Sequence, residues 1–146
     1  MKRILLLLAL LLPIGAFAYN GEMLTLEMRG SKIYPGTERQ VKIYVPKQYD
    51  GSTPAALIVG TDSQEKVLAE CIDTLVAEGS MPVAIAVVVR PGRIHNAAGE
   101  VVRYNRSNEY DRMDGRFARF LETEVLPQVE KMQCSDCRAI KFSKYP

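Results

Sequence analysis

Side chains suited to ligand binding are concentrated in residues 105–111, which read Asn-Arg-Ser-Asn-Glu-Tyr-Asp. This segment carries more polar groups than a plain connection needs, and functional groups are often found on such loops. It ends a basic stretch that begins at Arg90. An anionic or carboxylate-bearing ligand is one interpretation of that stretch, and a solvated loop is the other. The candidate ligand-binding residues are Arg90, Asn105, Arg106, Ser107, Glu109, Tyr110 and Asp111.

Three cysteines and one histidine supply the other reactive groups. Cys134 and Cys137 are spaced as Cys-x-x-Cys, which fits a redox pair, half of a metal site or a local disulfide. A zinc site needs two further ligands, and His95 is far away in the sequence. We therefore expect a loop disulfide or inert thiols, with no metal and no cofactor. Cys71 is expected to be a buried thiol on the apolar face of a helix.

Short strands and helices must position these groups. Alternating residues at 23–28 and 41–45 predict two strands joined across a turn, and apolar runs at 55–59 and 82–89 predict buried strands. A helix with one apolar face is predicted between those two runs, and Gly79 is placed to end it. Strand, helix and strand in this order predict a parallel α/β unit. The apolar face of the helix consists of Val67, Leu68, Cys71, Ile72, Leu75 and Val76.

The second half of the chain predicts a long loop and then a long helix. Residues 90–111 exceed the roughly 12–15 residues beyond which structureless loops are usually functional or disordered. One amphipathic helix follows, with Pro127 inside it, where proline costs about 3 kcal/mol. A further strand is predicted to begin within residues 137–142. The apolar side of the long helix consists of Phe117, Phe120, Leu121, Val125 and Val129.

The first eighteen residues have the pattern of a secretory signal peptide. Lys2 and Arg3 precede an apolar core at residues 4–12, and residues 16–18 form a small-x-small cleavage site. The core is too short for a stable membrane span. We therefore expect an exported domain of residues 19–146, secreted or periplasmic. The signal holds two of the 19 basic residues and none of the 17 acidic ones, which leaves 17 of each. This balance, without a basic cluster, argues against a nucleic-acid partner.

Residues 105–130 resemble a motif of the esterase family that includes enterochelin esterases and feruloyl esterases. The family has Asn-Arg-Ser-x-Glu-Tyr-Asp, then Arg-[Tyr/Phe]-Ala-Arg-Phe-Leu-x-x-Glu-[Ile/Val]-Leu-Pro-x-Val-Glu, and residues 105–111 and 116–130 match it. Segments 31–39 and 43–50 extend the similarity over most of the chain. The resemblance implies an α/β-hydrolase fold and hydrolysis of carboxylic esters, such as acyl or feruloyl groups on polysaccharides, or siderophore esters.

The resemblance also assigns a role to the turn after the third predicted strand. Thr61 and Asp62 stand at the family's Gln-Asp-Gly turn, which lies on the oxyanion side of the site, and only the aspartate matches. Residues 138–140 are the last to resemble the family, which continues into a Gly-x-Ser-x-Gly elbow. This chain has Ser143 near the expected place, with Lys141 and Tyr145 where the motif requires glycine.

The family's acid and base both follow its serine in chain order, so they would lie beyond residue 146. His95 precedes that serine and does not match the base. We therefore expect an α/β chain with a partial α/β-hydrolase sheet, truncated before the nucleophile elbow and without triad catalysis of its own. One alternative is half of a complemented hydrolase, with a partner chain covering the exposed sheet edge. The other is a non-catalytic module that binds an acidic small molecule or glycan.

Overall fold

The computed structural model describes residues 19–143. The predicted signal peptide, residues 1–18, lies outside the described residues. Within them, no helix has both the length and the apolar character needed to cross a membrane.

The centre of the fold is a four-stranded mixed sheet in the order β1-β2-β4-β3. β1 pairs antiparallel with β2, β2 pairs antiparallel with β4, and β3 pairs parallel with β4. The strands predicted from alternation and from the apolar runs are therefore confirmed, with boundaries shifted by at most two residues. β4 is buried at every position because it has a strand on each side and helices over both faces. The strands are β1 Glu22–Met28, β2 Arg39–Val45, β3 Ala56–Thr61 and β4 Ala84–Val89.

Helix α1, Glu65–Ala77, connects β3 to β4 and confirms the predicted parallel unit. Its buried face differs from the predicted one, because Ala69, Ile72 and Asp73 are buried while Cys71 is exposed. Polar contacts orient this face of α1 towards the sheet, because the hydroxyl of Tyr44 donates a hydrogen bond to Asp73 and Arg90 forms an ion pair with Glu65. The prediction of a buried Cys71 is therefore wrong.

Residues 90–111 are more ordered than the predicted loop. They contain an antiparallel hairpin, β5 Arg93–His95 and β6 Val101–Tyr104, followed by helix α2, Arg106–Tyr110. Asn96 closes the hairpin turn, since its side-chain oxygen accepts hydrogen bonds from the backbone amides of residues 98 and 100. The hairpin joins the start of β2 through a backbone pair between Glu38 and Arg93.

The long amphipathic helix is present, but it changes form in the middle. Helix α3, Arg116–Phe120, leads into a π-helical segment, Leu121–Val125, and then into helix α4, Leu126–Val129. A proline in a regular helix lacks one N–H and clashes with the carbonyl four residues earlier. The wider π turn relocates the hydrogen bonds, so Pro127 occupies the second position of α4.

After α4 the chain returns to the outer edge of β3. Phe142 forms an isolated parallel bridge with Ala55, just before β3, where a longer strand was predicted. The turn before it includes Cys134, which is buried, and Cys137, which is exposed. Both are free thiols in the structure, as is Cys71.

Candidate functional site

The candidate site lies at the carboxyl ends of β3 and β4. Thr61 and Val89 are register partners, so the two parallel strands end at the same edge of the sheet. Ligands of open α/β sheets bind at this edge. Asp62 directly follows β3 and has a φ of 59°, in the left-handed region that aspartate tolerates better than most residues. Its geometry turns the chain sharply into α1.

Arg106 clamps this turn from α2. Its Nε and Nη2 atoms donate to the two carboxylate oxygens of Asp62 at 2.9 and 3.0 Å. These hydrogen bonds lower the pKa of Asp62 and raise that of Arg106. Bidentate pairing fixes orientation as well as distance. The turn after β3 and the polar segment of residues 105–111, whose paired residues are 44 positions apart, are therefore in direct contact.

Tyr110 supports the clamp from the same helix. Its ring centroid lies 5.5 Å from the central guanidinium carbon of Arg106. Its hydroxyl donates to the backbone oxygen of Val89 at the end of β4, at 2.7 Å. Burial raises the pKa of Tyr110, so the hydroxyl stays protonated and serves as a donor. Helix α2 is thereby tied to the ends of both parallel strands.

Glu109 holds α2 against the sheet through a buried ion pair with Arg39 of β2. The two bonds measure 2.6 and 2.9 Å, and the side chains are 1% (Arg39) and 0% (Glu109) exposed. Asn105 and the backbone amide of Gly92 also donate to the Glu109 carboxylate, at 3.0 and 3.2 Å. A Cβ on Gly92 would lie 2.7 Å from a Glu109 oxygen, so only glycine fits there. Asn105 and Glu109 are therefore placed to position the site, while a ligand would meet other residues.

The remaining candidate residues lie closer to solvent. Ser107 and Asp111 are exposed, and Arg90 is half-buried in its ion pair with Glu65 at the start of α1. An open cleft of about 420 Å³ lies over the start of α2, between residues 103 and 108. Arg106 and Ser107 are thus the predicted residues best placed to touch a ligand.

Ser143 lies at the opposite end of the sheet from this site. Its backbone amide donates to the carbonyl of Ala55 at 2.8 Å, and its hydroxyl is 3.3 Å from the carbonyl of Pro54. Thr61 lies six steps along the chain from Ala55, which is about 20 Å at a strand rise of roughly 3.3 Å per residue. His95 instead lies 3.8 Å from Glu38. Ser143 and the Asp62 turn therefore cannot meet one ligand atom in this arrangement.

Sequence reasoning missed Arg39, on which the site rests. It precedes Val41 and Ile43 at two-residue steps, so its side chain lies on the same buried face of β2. An arginine on an apolar face indicates a buried acidic partner, and this signal was present in the sequence. Within residues 19–143, no three histidine, cysteine, aspartate or glutamate side chains form a group that could hold a metal ion.

Comparisons with known proteins relate the chain to solved structures only. No family model and no curated protein matches it. An uncharacterised protein from Capnocytophaga ochracea is similar with a TM-score of 0.51 and 18% identity, over 74% of this chain and 29% of that one. The likeness shows a shared fold.

Two esterase structures are also similar, at lower TM-scores. A ferulic acid esterase has a TM-score of 0.49 and 20% identity, over 83% of this chain and 46% of that one. A mutant of the feruloyl esterase module from Clostridium thermocellum, complexed with sinapinate, has a TM-score of 0.42 and 14% identity, over 77% and 43%. The chain spans less than half the length of each of these three structures.

Proposed function

We propose that this chain supplies the oxyanion-side turn and the adjacent ligand-facing helix of a carboxylic ester hydrolase, acting on acyl or feruloyl esters of polysaccharides or on siderophore esters. The contact between Asp62 and Arg106 carries the proposal. These two residues belong to separate motifs that resemble the same esterase family, and their side chains form one bidentate pair at the ligand-binding edge of the sheet.

The chemistry of ester hydrolysis gives this turn a task. In α/β-hydrolases one oxyanion donor is a backbone N–H in the loop between the third strand and the first helix. Residues 62–64 connect β3 to α1 here, which supports the proposal. Preorganised donors stabilise the charge that develops on the carbonyl oxygen. Arg106 fixes the turn and neutralises Asp62, whose carboxylate would otherwise repel that oxyanion.

The nucleophile is a separate matter. Ser143 is about 20 Å from the turn by strand length, and the lone histidine contacts Glu38. A serine without a nearby base is a poor nucleophile at neutral pH. We therefore propose that residues 19–143 do not hydrolyse esters by themselves, and that an exported protein displays them, as the pattern of residues 1–18 predicts.

A complementing strand is the second candidate arrangement, and the edge of β3 favours it. Beyond the bridge to Phe142, β3 has no strand partner on its outer side among the described residues. Val59 in that strand is 40% exposed. Open strand edges pair readily with further chain. A parallel strand placed there would end beside Asp62, where a nucleophile is needed.

Ester recognition is tested by titrating the isotope-labelled chain with methyl ferulate and following its amide signals by NMR. We expect saturable shifts at residues 62–64 and 106–110, because a bound ester carbonyl would lie against that loop. Arg106→Met is expected to weaken binding about tenfold, the loss of roughly 1.4 kcal/mol. Arg119→Met removes an exposed arginine of α3, outside both segments, and it should leave binding unchanged. Shifts confined to other surfaces, or equal effects of both variants, would contradict the proposal.

A further inference from the structure

A second polar cavity lies beside the candidate site, between the β5–β6 hairpin, the start of β2 and the end of β4. Its volume is about 240 Å³, which is smaller than most pockets for drug-sized ligands. The size suits one small ring or a short acid. The residues that line it are Gln40, Ser63, Arg90, Pro91, Arg93 and Tyr104.

Two guanidinium groups in this cavity have unused donors. Arg90 donates to Glu65 and to Gln40, yet its buried Nε has no hydrogen-bond partner in the described part of the chain. Arg93 is half-buried, and its side chain forms no ion pair or hydrogen bond within residues 19–143. Buried polar groups in proteins nearly always have a hydrogen-bond partner. We therefore expect a ligand in this cavity to supply a hydrogen-bond acceptor.

The surrounding charges define which acceptor fits. The negative charge of Glu65 balances the positive charge of Arg90. Glu38 pairs with Arg93 only through backbone hydrogen bonds. Its carboxylate contacts Arg29 and His95 instead. One positive charge therefore remains in excess, at Arg93. A monoanion balances this charge, whereas a phosphate dianion would leave a negative charge close to Glu65. Arginine also matches the planar geometry of a carboxylate.

Neutral groups complete the cavity. Ser63 and Tyr104 offer hydroxyls, which bind hydroxyl groups of a ligand. The amide of Gln40 is already engaged, since it donates to Glu27 and accepts from Arg90. Tyr104 is the register partner of Arg93 and is 64% exposed, so its ring presents an apolar surface beside the charge. We propose that this cavity binds the carboxylate of a small hydroxylated acid, of which a uronic acid is one example. Hydrolysis is not required for this binding, so the site is tested separately from the proposed function.

The test is calorimetric titration of the full chain with galacturonate. We expect saturable binding that Arg93→Met weakens at least tenfold. Arg103→Met is the matched control, because Arg103 is exposed and is the register partner of Ile94 rather than of Arg93. It should change the affinity less than twofold. The methyl ester of galacturonate, which lacks the charge, should bind at least tenfold more weakly than the free acid.

Further ligands identify the source of the carboxylate. If monomeric galacturonate binds as tightly as an oligogalacturonate, the ligand of the cavity is a free acid. If only the oligomer binds, and Arg93→Met abolishes that binding, the carboxylate belongs to a polymer. Inorganic phosphate binding more tightly than galacturonate would overturn the proposal. No saturable binding of either uronate, or an equal loss in both arginine variants, would also overturn it.

Discussion

Replacing Glu109 with glutamine is expected to lower the free energy of unfolding by about 3–5 kcal/mol. The substitution keeps the shape of the side chain but leaves the Arg39 guanidinium, 1% exposed, without a counter-charge. An uncompensated buried charge is far more costly than a lost surface ion pair. Since domains of this size are stable by only about 5–15 kcal/mol, the midpoint of urea denaturation should fall sharply.

The control is Asp114→Asn, which removes a carboxylate that pairs with Arg112 and Arg116 on the surface. Its urea midpoint should match that of the original chain within error, because exposed pairs contribute little. A Glu109→Gln loss of less than about 1 kcal/mol would mean that water reaches Arg39. The claim that a buried ion pair between Glu109 and Arg39 holds α2 in place would then be wrong.

Replacing Phe120 with alanine is expected to cost about 3–5 kcal/mol. Phe120 is fully buried, and its ring packs edge-on against Tyr34, with centroids 5.2 Å apart. The guanidinium carbon of Arg39 lies 4.5 Å from the ring centroid. Truncation therefore opens a cavity and also removes the surface on which the buried arginine rests.

Phe117→Ala provides the comparison, because it removes the same side chain from the same helix at a half-buried position. Its loss in urea denaturation should be clearly smaller. The effects of Phe120→Ala and Glu109→Gln should not add in a double variant, since both residues contact Arg39. Equal losses for the two phenylalanines would contradict the packing described for α3.

The sheet could be predicted from the sequence because its signals are local. Alternation marks β1 and β2, and a continuous apolar run marks β4, which is covered on both faces. The long helix could also be predicted, because its apolar residues recur at three- and four-residue spacings. The π-helical segment of this helix could not be predicted, because the shift in hydrogen bonding depends on how the turn accommodates Pro127.

The face of α1 shows where local patterning fails. The predicted apolar face of this helix consists of two adjacent rows, one through Cys71 and one through Ile72, and hydropathy does not say which row is buried. Asp73 and Glu65 decide between them, because their carboxylates bind Tyr44 and Arg90 on the sheet. Such pairs join residues that are distant in the sequence, so one sequence read alone does not reveal them.

The sequence indicates the separate segments of the candidate site but does not predict that they are in contact. The resemblance singled out Asp62 and the segment of Arg106, and their contact follows only from the parallel pairing of β3 with β4 and the return of α2 over that edge. The sequence predicts a loop where residues 93–104 form a hairpin, because the two strands are only three and four residues long. Strands this short carry little periodicity.

The most direct test of the proposed esterase role is the DNA sequence that follows the codon for Pro146, translated in all three forward frames. The proposal predicts a Gly-x-Ser-x-Gly elbow followed by an acidic residue and a histidine, so that a strand beside β3 brings the serine to the Asp62 turn. If no frame encodes these residues and no neighbouring gene does, the Asp62–Arg106 pair belongs to a binding protein, and the proposed ester hydrolase is wrong.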